Sequence, residues 1–194
     1  MTKSILKSIL LVGLTIALLS FDTPTGWFNA GSKPKSYEMG IDKGAGQDGK
    51  NTATIKSIDK KIDGFGTLMQ KSKPDKYIGK RVRMTGFVKS ENVATWAGLW
   101  LRVDHSGSQQ PLSFDNMGDR PIKGTTGWTK YEIVLDVPSN ASLIAYGALL
   151  DGTGQIWFDN ITFEVVHDDV PTTGSVNGKK SATQDEPTNL DFEK

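Results

Sequence analysis

The sequence predicts an all-β fold in which two antiparallel sheets pack face to face as a β-sandwich. Short candidate strands alternate with turns rich in Gly, Pro, Asn, Asp or Ser. The 194 residues include 21 Gly and 5 Trp, and long helix-favouring runs are few. A chain of this length accommodates one domain with appendages, so we expect a single sandwich with many turns.

Nine segments have the composition of short strands, a number that suits a two-sheet sandwich. In chain order they are residues 36–42, 52–57, 64–71, 80–89, 97–104, 110–115, 129–137, 142–150 and 154–166. Residues 54–63 are also compatible with a helix. Ile55, Ile58 and Ile62 recur there at helical spacing, although they fit a strand and its following turn equally well.

The first twenty residues have the features of a secretory signal peptide. Lys3 and Lys7 precede an apolar run over residues 8–19, and the small residue Ser20 follows it. The run is shorter than the ~20 apolar residues that a membrane-spanning helix needs. We therefore expect a secreted or extracytoplasmic protein. Retention as an uncleaved anchor stays an alternative, because Leu18 is unfavourable near the cleavage point.

Charge and cysteine content exclude several classes of protein. The chain has 23 basic and 22 acidic residues, and removing residues 1–20 takes away two lysines and no acid. Such a balance gives no electrostatic reason to expect nucleic acid or, after signal removal, a membrane surface as partner. The absence of cysteine excludes disulfides, so stability must come from the core or from a bound ion.

The chain loses its strand periodicity after residue 166. From His167 onward Pro, Thr, Gly and Lys predominate, and apolar residues are few. This composition predicts a disordered tail over residues 167–194 and leaves residues 21–166 as the sandwich domain.

The segment 97–104 alternates strictly, which predicts its two faces. Its apolar residues face the core, and Trp100, Arg102 and Asp104 share the opposite face. Trp96 has the same parity as Trp100. The sequence therefore predicts a sheet face that presents aromatic planes beside a guanidinium and a carboxylate.

Two parts of the sequence resemble the jelly-roll carbohydrate-binding modules attached to xylanases and cellulases. Residues 127–166 are similar to the C-terminal half of those modules, and residues 79–89 to a central strand. The resemblance covers roughly residues 21–166. It implies a galactose-binding-domain-like jelly roll and a secreted bacterial protein that binds a polysaccharide or cell-envelope glycan without catalysis.

A sugar-binding face needs aromatic rings for the C–H faces of a pyranose and planar polar groups for its hydroxyls. Candidates on the predicted strands are Trp96, Trp100, Arg102, Tyr37, Glu38 and Gln70. The alternative for the tryptophans is burial between the sheets, and Arg102 is also placed to pair with Asp104 or Glu132.

The resemblance also implies a structural calcium ion. In these modules an aspartate of the final strand commonly ligates calcium, and Asp159 occupies that place. The alternative is that Asp159 bonds to the backbone in a bulge, which is common near strand irregularities.

A second resemblance supplies an alternative function. Residues 96–100 together with 114–117 are similar to domains that accompany some bacterial transcriptional regulators. They suggest an extracytoplasmic protein-interaction or ligand-sensing domain, since the chain shows no recognisable helix-turn-helix.

An enzyme is the least supported function. Residues 44–49 match G-x-G-x-x-G without the flanking strand and helix of a dinucleotide site. His105 and His167 are the only histidines, neither with zinc-ligand spacing, and no nucleophile elbow is present. We therefore expect a non-catalytic protein.

Overall fold

A computed structural model describes residues 21–174, and these form a β-sandwich. The strands are β1 (Phe28–Gly31), β2 (Tyr37–Asp42), β3 (Thr52–Ser57), β4 (Phe65–Ser72), β5 (Lys80–Asp104), β6 (Ser113–Asp115), β7 (Ile122–Val137), β8 (Leu143–Asp151) and β9 (Gln155–Val166). A single 3-10 turn, Pro34–Ser36, precedes β2, and residues 21–174 contain no α-helix. The all-β prediction is confirmed.

The long strand β5 belongs to both layers of the sandwich. Its first part, residues 80–91, pairs with β9 and β7, and β3 and β2 continue that layer, which we call sheet two. Its last part, residues 96–104, pairs with β8 and β6, and β4 and β1 complete sheet one. All these pairs are antiparallel, as a jelly roll requires. Register irregularities and a positive φ of 51° at Asn92 mark where β5 passes between the layers.

Most of the predicted strands coincide with those of the structure. The first residues of β6 and β7 differ, since β6 begins at Ser113 rather than at residue 110 and β7 at Ile122 rather than at residue 129. The sequence analysis separates residues 80–89 from 97–104, whereas both belong to β5, whose bend is rich in exposed polar side chains that imitate a turn. Strand β1 was not predicted. The helical alternative for residues 54–63 is wrong, because β3 extends to Ser57 and no helix follows.

The core lies between the inner faces of the two sheets. Leu99, Leu101 and Val103 are at most 1% exposed, which confirms the predicted inner face of β5. Other fully buried side chains come from both layers: Ile55, Leu68, Met84, Ile133, Leu135, Ile144, Leu150, Ile156 and Phe158. Burying a side chain of this size stabilises the fold by roughly 1.5–3 kcal/mol, so these residues fix the registers that place the outer faces.

Residues 167–174 continue beyond β9 as a strap across the edge of the sandwich. The amide of Thr173 donates to Val134 O at 2.9 Å, and the amide of Val134 donates to Thr173 Oγ1 at 2.9 Å. Arg81 Nη1 donates to Val170 O at 2.7 Å. The strap is therefore bonded to β7 and β5, beyond residue 166, at which the predicted domain ends. The rest of the predicted tail lies outside the described residues.

The predicted signal peptide, residues 1–20, also lies outside the described residues and stays a prediction. Within residues 21–174, no helix has the length and apolar composition needed to cross a membrane.

Candidate ligand-binding groove

An open groove of about 460 Å³ runs along the outer face of sheet one. It is lined from five strands and the turn after β6, by Ala30, Gly31, Phe65, Thr67, Met69, Lys71, Trp96, Trp100, Arg102, Asp104, Phe114, Asn116, Leu143, Ala145 and Leu149. Because side chains alternate between the two faces of a strand, the parity that sends Leu99 and Leu101 into the core directs Trp100 and Arg102 into this groove.

Strand register divides the groove into an aromatic end and a cationic end. Trp96 and Phe65 both lie opposite Asp151 of β8, at one end of sheet one. At the other end, Ala145, which is six residues from Asp151 on β8, lies between Arg102 of β5 and Lys71 of β4. At 3.3–3.4 Å per residue, the two ends are about 20 Å apart.

Trp100 forms the apolar floor of the groove. Its indole Nε1 donates to Thr67 Oγ1 on β4 at 2.8 Å, although β8 lies between the two strands. The ring therefore extends across β8, where the residue opposite Trp100 is Gly147, which has no side chain. Trp100 is 8% exposed and packs in an outer apolar cluster with Met69 and Leu149.

The Trp100 ring is held in one orientation before any ligand arrives. Thr67 Oγ1 accepts from Trp100 and donates to Ala148 O at 2.7 Å, which ties the indole to the backbone of sheet one. The partly buried rings of Trp96, Phe65 and Phe114 pack against the same cluster. A preorganised aromatic surface of this kind loses little conformational entropy on binding.

The charged groups that line the groove gather at its cationic end. Arg102 Nε donates to Asp104 Oδ1 at 2.7 Å, and Arg102 Nη2 donates to Gln109 O at 2.9 Å. The predicted pairing of Arg102 with Asp104 is thus present, and Arg102 lines the groove as well. Lys71 is exposed, with its ammonium 5.6 Å from the centre of the Phe28 ring.

Tyr37 is a core residue and does not reach the groove. It is 5% exposed, and its hydroxyl lies 2.9 Å from Gly64 O and 2.8 Å from Gly152 O, the two possible acceptors of its proton. The ring fits because Gly66 has no side chain; a Cβ there would be 2.5 Å from Tyr37 Cδ2. Burial, with a smaller contribution from Asp151, raises the pKa of Tyr37 to about 12.

Glu38 and Gln70 are also separated from the groove by strand parity. Glu38 alternates with the buried Tyr37 on β2, so it lies on the outer face of sheet two, on the other side of the sandwich. Gln70 alternates with Met69 on β4 and faces inward, where its Oε1 accepts from the Tyr146 hydroxyl.

Most residues of the groove wall were not predicted from the sequence, including all four that β4 contributes. Phe65, Thr67, Met69 and Lys71 share one parity within a strand that was predicted, so alternation alone identifies them as one face. Alternation does not identify Phe114, because β6 has only three residues. Its place beside Arg102 depends on the pairing of β6 with β5.

Asp159 lies beside the loop that contains Gly46. Its Oδ1 accepts from the amide of Asn160 at 2.7 Å, as the bulge alternative predicted. An atom at the position of the missing Gly46 Cβ would lie 2.9 Å from Lys50 O, 3.2 Å from Asn51 O and 3.3 Å from Asp159 Oδ2. Residues 21–174 contain no group of three or more His, Cys, Asp or Glu side chains that could hold a metal ion, so a cation here would depend on backbone oxygens as well as on Asp159.

A relative of known sequence comes from Bacillus subtilis (strain 168). The chain is 46% identical over 170 residues to its uncharacterized HTH-type transcriptional regulator YbfP. The match covers 87% of this chain and 56% of YbfP, so the chain spans little more than half of that relative. No protein-family profile matches the chain.

Solved structures share the fold at low sequence identity. The CBM22-1–GH10 modules of Clostridium thermocellum xylanase 10B, complexed with xylohexaose, give a TM-score of 0.53 at 16% identity over 73% of this chain and 26% of that one. The CBM22-1 xylan-binding domain of Paenibacillus barcinonensis Xyn10C gives 0.52 at 15% identity over 74% and 88%. A cyclase from Fischerella sp. TAU gives 0.50 at 14% identity over 76% and 87%. These likenesses confirm the jelly-roll fold.

Proposed function

We propose that this chain, which has the galactose-binding-like jelly-roll fold of carbohydrate-binding modules, is a non-catalytic module that binds a glycan in the groove of sheet one. The observation that carries the proposal is the convergence of Trp96 and Trp100 with Arg102 and Asn116 along one open groove. Pyranose rings present C–H faces to aromatic planes and hydroxyls to such donors and acceptors.

The absence of a second acid in the groove supports binding without hydrolysis. Of the described residues that line it, Asp104 alone is a carboxylate, and it is paired with Arg102. Glycosidases use two carboxyl groups that face each other across the scissile bond. The cyclase from Fischerella shows that an enzyme can share this fold, so the argument depends on the groove and not on the fold.

Affinity electrophoresis of the full chain against a panel of soluble polysaccharides tests the proposal. We expect at least one polysaccharide to retard the wild-type chain in native gels and to retard Trp96→Ala much less. Migration unaffected by every polysaccharide would contradict it.

The match to YbfP favours a second candidate, a ligand-sensing or protein-interaction domain that uses the same groove. Residues 21–174 contain no α-helix, so they hold no counterpart of the helix-turn-helix that the relative's name implies. Both candidates are extracytoplasmic, so ligand binding separates them. Retardation of the chain by a polysaccharide supports the glycan-binding module, and a chain that no polysaccharide retards supports the sensing or interaction domain.

We further propose that Asp159 contributes to a structural calcium site. Asp159 Oδ2 lies near Gly46 together with the carbonyl oxygens of Lys50 and Asn51, and oxygens of these kinds are the hard donors that calcium prefers. A bound ion there would tie the loop of residues 44–51 to β9, which would compensate for the lack of disulfides.

Chelation is expected to lower the melting temperature of the chain by about 5 °C, because an ion that binds only the folded state stabilises it by mass action. Differential scanning calorimetry with and without chelator measures the shift. Asp159→Asn and Gly46→Ala should abolish the response, whereas Asp59→Asn, an exposed change outside that loop, should retain it. A wild-type melting curve that is identical with calcium and with chelator would contradict the site.

A further inference from the structure

The cationic end of the groove has two basic side chains on the same face of sheet one, with one strand between them. Lys71 on β4 and Arg102 on β5 both lie opposite Ala145 of the strand between them. Adjacent strands are 4.7–4.9 Å apart, so the two Cα atoms are about 10 Å apart. Two long side chains at that distance can contact the same group if it enters between them.

Ala145 leaves room for such a group. It is small and it lines the groove, whereas a larger residue at this position would fill the space between the two cations. Its neighbours of the same parity on β8 are Leu143 and Gly147, neither of which carries charge. The floor under the two basic side chains is therefore apolar and narrow.

The two cations retain donors that the protein does not use. Lys71 forms no ion pair with any residue in the described range, and its contact is with the face of the Phe28 ring. Arg102 uses Nε and Nη2 for Asp104 and Gln109, which leaves Nη1 without a hydrogen bond among residues 21–174. Those free N–H groups point to a ligand that accepts hydrogen bonds.

The balance of charge at this end is positive. Asp104 offsets one of the two cations, and Phe114, which lies opposite Arg102 on β6, is neutral. Asp151 lies at the aromatic end, about 20 Å away along β8, well beyond the screening length of about 8 Å at physiological salt. The groove therefore has an apolar aromatic half and a half with a net positive charge.

We infer that the groove selects a glycan that carries an anionic substituent, held between Lys71 and Arg102 while the sugar rings stack on Trp96 over the floor that Trp100 forms. This inference rests on the proposed glycan-binding function and specifies its ligand class. A carboxylate of a uronic acid and a phosphate ester present the same chemistry, an anionic oxygen acceptor for charge-assisted hydrogen bonds.

Matched ligands test the inference on the full chain by isothermal titration calorimetry. One arm uses xylo-oligosaccharides with a glucuronic acid branch, and the second uses the same sample after chemical reduction of the carboxyl group to an alcohol. A third arm uses a glycan substituted with glycerol phosphate. We expect an anionic ligand to bind about tenfold more tightly than its neutral counterpart, as one charge-assisted contact would give.

Two variants assign that preference to the groove. Lys71→Met removes the charge and keeps the apolar stem, so it should abolish the preference for the anionic ligand. Lys56→Met makes the same change on an exposed residue of β3, in sheet two, and should leave that preference intact. Raising the salt concentration should weaken binding of the anionic ligand and leave binding of the neutral ligand unaffected.

The possible outcomes separate the preference for an anionic ligand from glycan binding itself. A preference carried by the uronate or by the phosphate glycan supports the inference and identifies the source of the anion. Equal binding of charged and neutral ligands, or a preference that survives Lys71→Met, overturns the inference and leaves glycan binding in place. Failure of every ligand to bind overturns the proposed function and this inference with it.

Discussion

Replacing Asp115 by alanine is expected to lower the free energy of unfolding by about 3 kcal/mol. The change removes the buried carboxylate that accepts from Arg120, Met117 and Thr173, and it leaves Arg120 with the more exposed Asp119 as its ion-pair partner. The Asp115 side chain is 5% exposed and accepts from Arg120 Nη2 at 2.7 Å and from the Met117 amide at 2.8 Å. It also accepts from Thr173 Oγ1 at 2.5 Å. Arg120 is 32% exposed, so water recovers part of its lost hydration, and the estimate lies at the low end of the range for buried pairs.

Urea denaturation measures this effect, with Glu164→Ala as the matched control. Glu164 also pairs with an arginine, Arg83 at 2.9 Å, but its side chain is 56% exposed. An exposed pair of this kind contributes less than about 1 kcal/mol. Equal losses for Asp115→Ala and Glu164→Ala would contradict the structural role assigned to Asp115.

The strap, residues 167–174, should contribute to the stability of the sandwich. A chain that ends at Val166 loses the hydrogen bonds of Thr173 to β7 and to Asp115, whereas a chain that ends at Gly174 keeps them. We expect the shorter chain to melt at a lower temperature than the longer one. Indistinguishable melting temperatures would support the domain boundary at residue 166 that the sequence predicts.

Replacing Trp100 by alanine is expected to cost about 3 kcal/mol of stability and to abolish ligand binding. The change removes a ring from the apolar cluster of sheet one and leaves Thr67 Oγ1 without its donor. Large-to-small changes of an aromatic residue in a core cost about 3–5 kcal/mol, and the lower value applies because the groove is open and water can enter the space.

Thermal melts combined with ligand titrations distinguish the packing role of Trp100 from its role in ligand binding. Trp96 is partly buried at the aromatic end, so Trp96→Ala should reduce affinity by ~1–3 kcal/mol while changing stability little. A Trp100→Ala protein as stable as the wild type would contradict the packing described for its ring.

Local alternation was sufficient to predict much of the fold and one wall of the groove. The parity of segment 97–104 sends Leu99 inward and Trp100 and Arg102 outward, and burial in the structure agrees. The same rule applied to β4 identifies Lys71. Period-2 alternation is a property of each strand alone, which explains why a single sequence is enough.

Contacts between distant segments were beyond the reach of that rule. Tyr37 is an aromatic residue on a predicted strand, and nothing local distinguishes a groove position from one packed against Gly66. Residues 167–174 have the composition of a tail, yet Thr173 is held by Val134 and Asp115 from two other strands. Such tertiary hydrogen bonds have no period in the sequence and depend on the assembled sheets.

The measurement that tests the central claim most directly is a calorimetric titration of the full chain with xylohexaose and other β-linked oligosaccharides. Three proteins are compared: the wild type, Trp96→Ala in the groove, and Trp128→Ala on β7, outside the groove. The account predicts saturable binding by the wild type, at least about tenfold weaker binding by Trp96→Ala, and wild-type binding by Trp128→Ala. No binding of any glycan, or equal binding by Trp96→Ala and the wild type, would contradict the assignment of the groove as a glycan site.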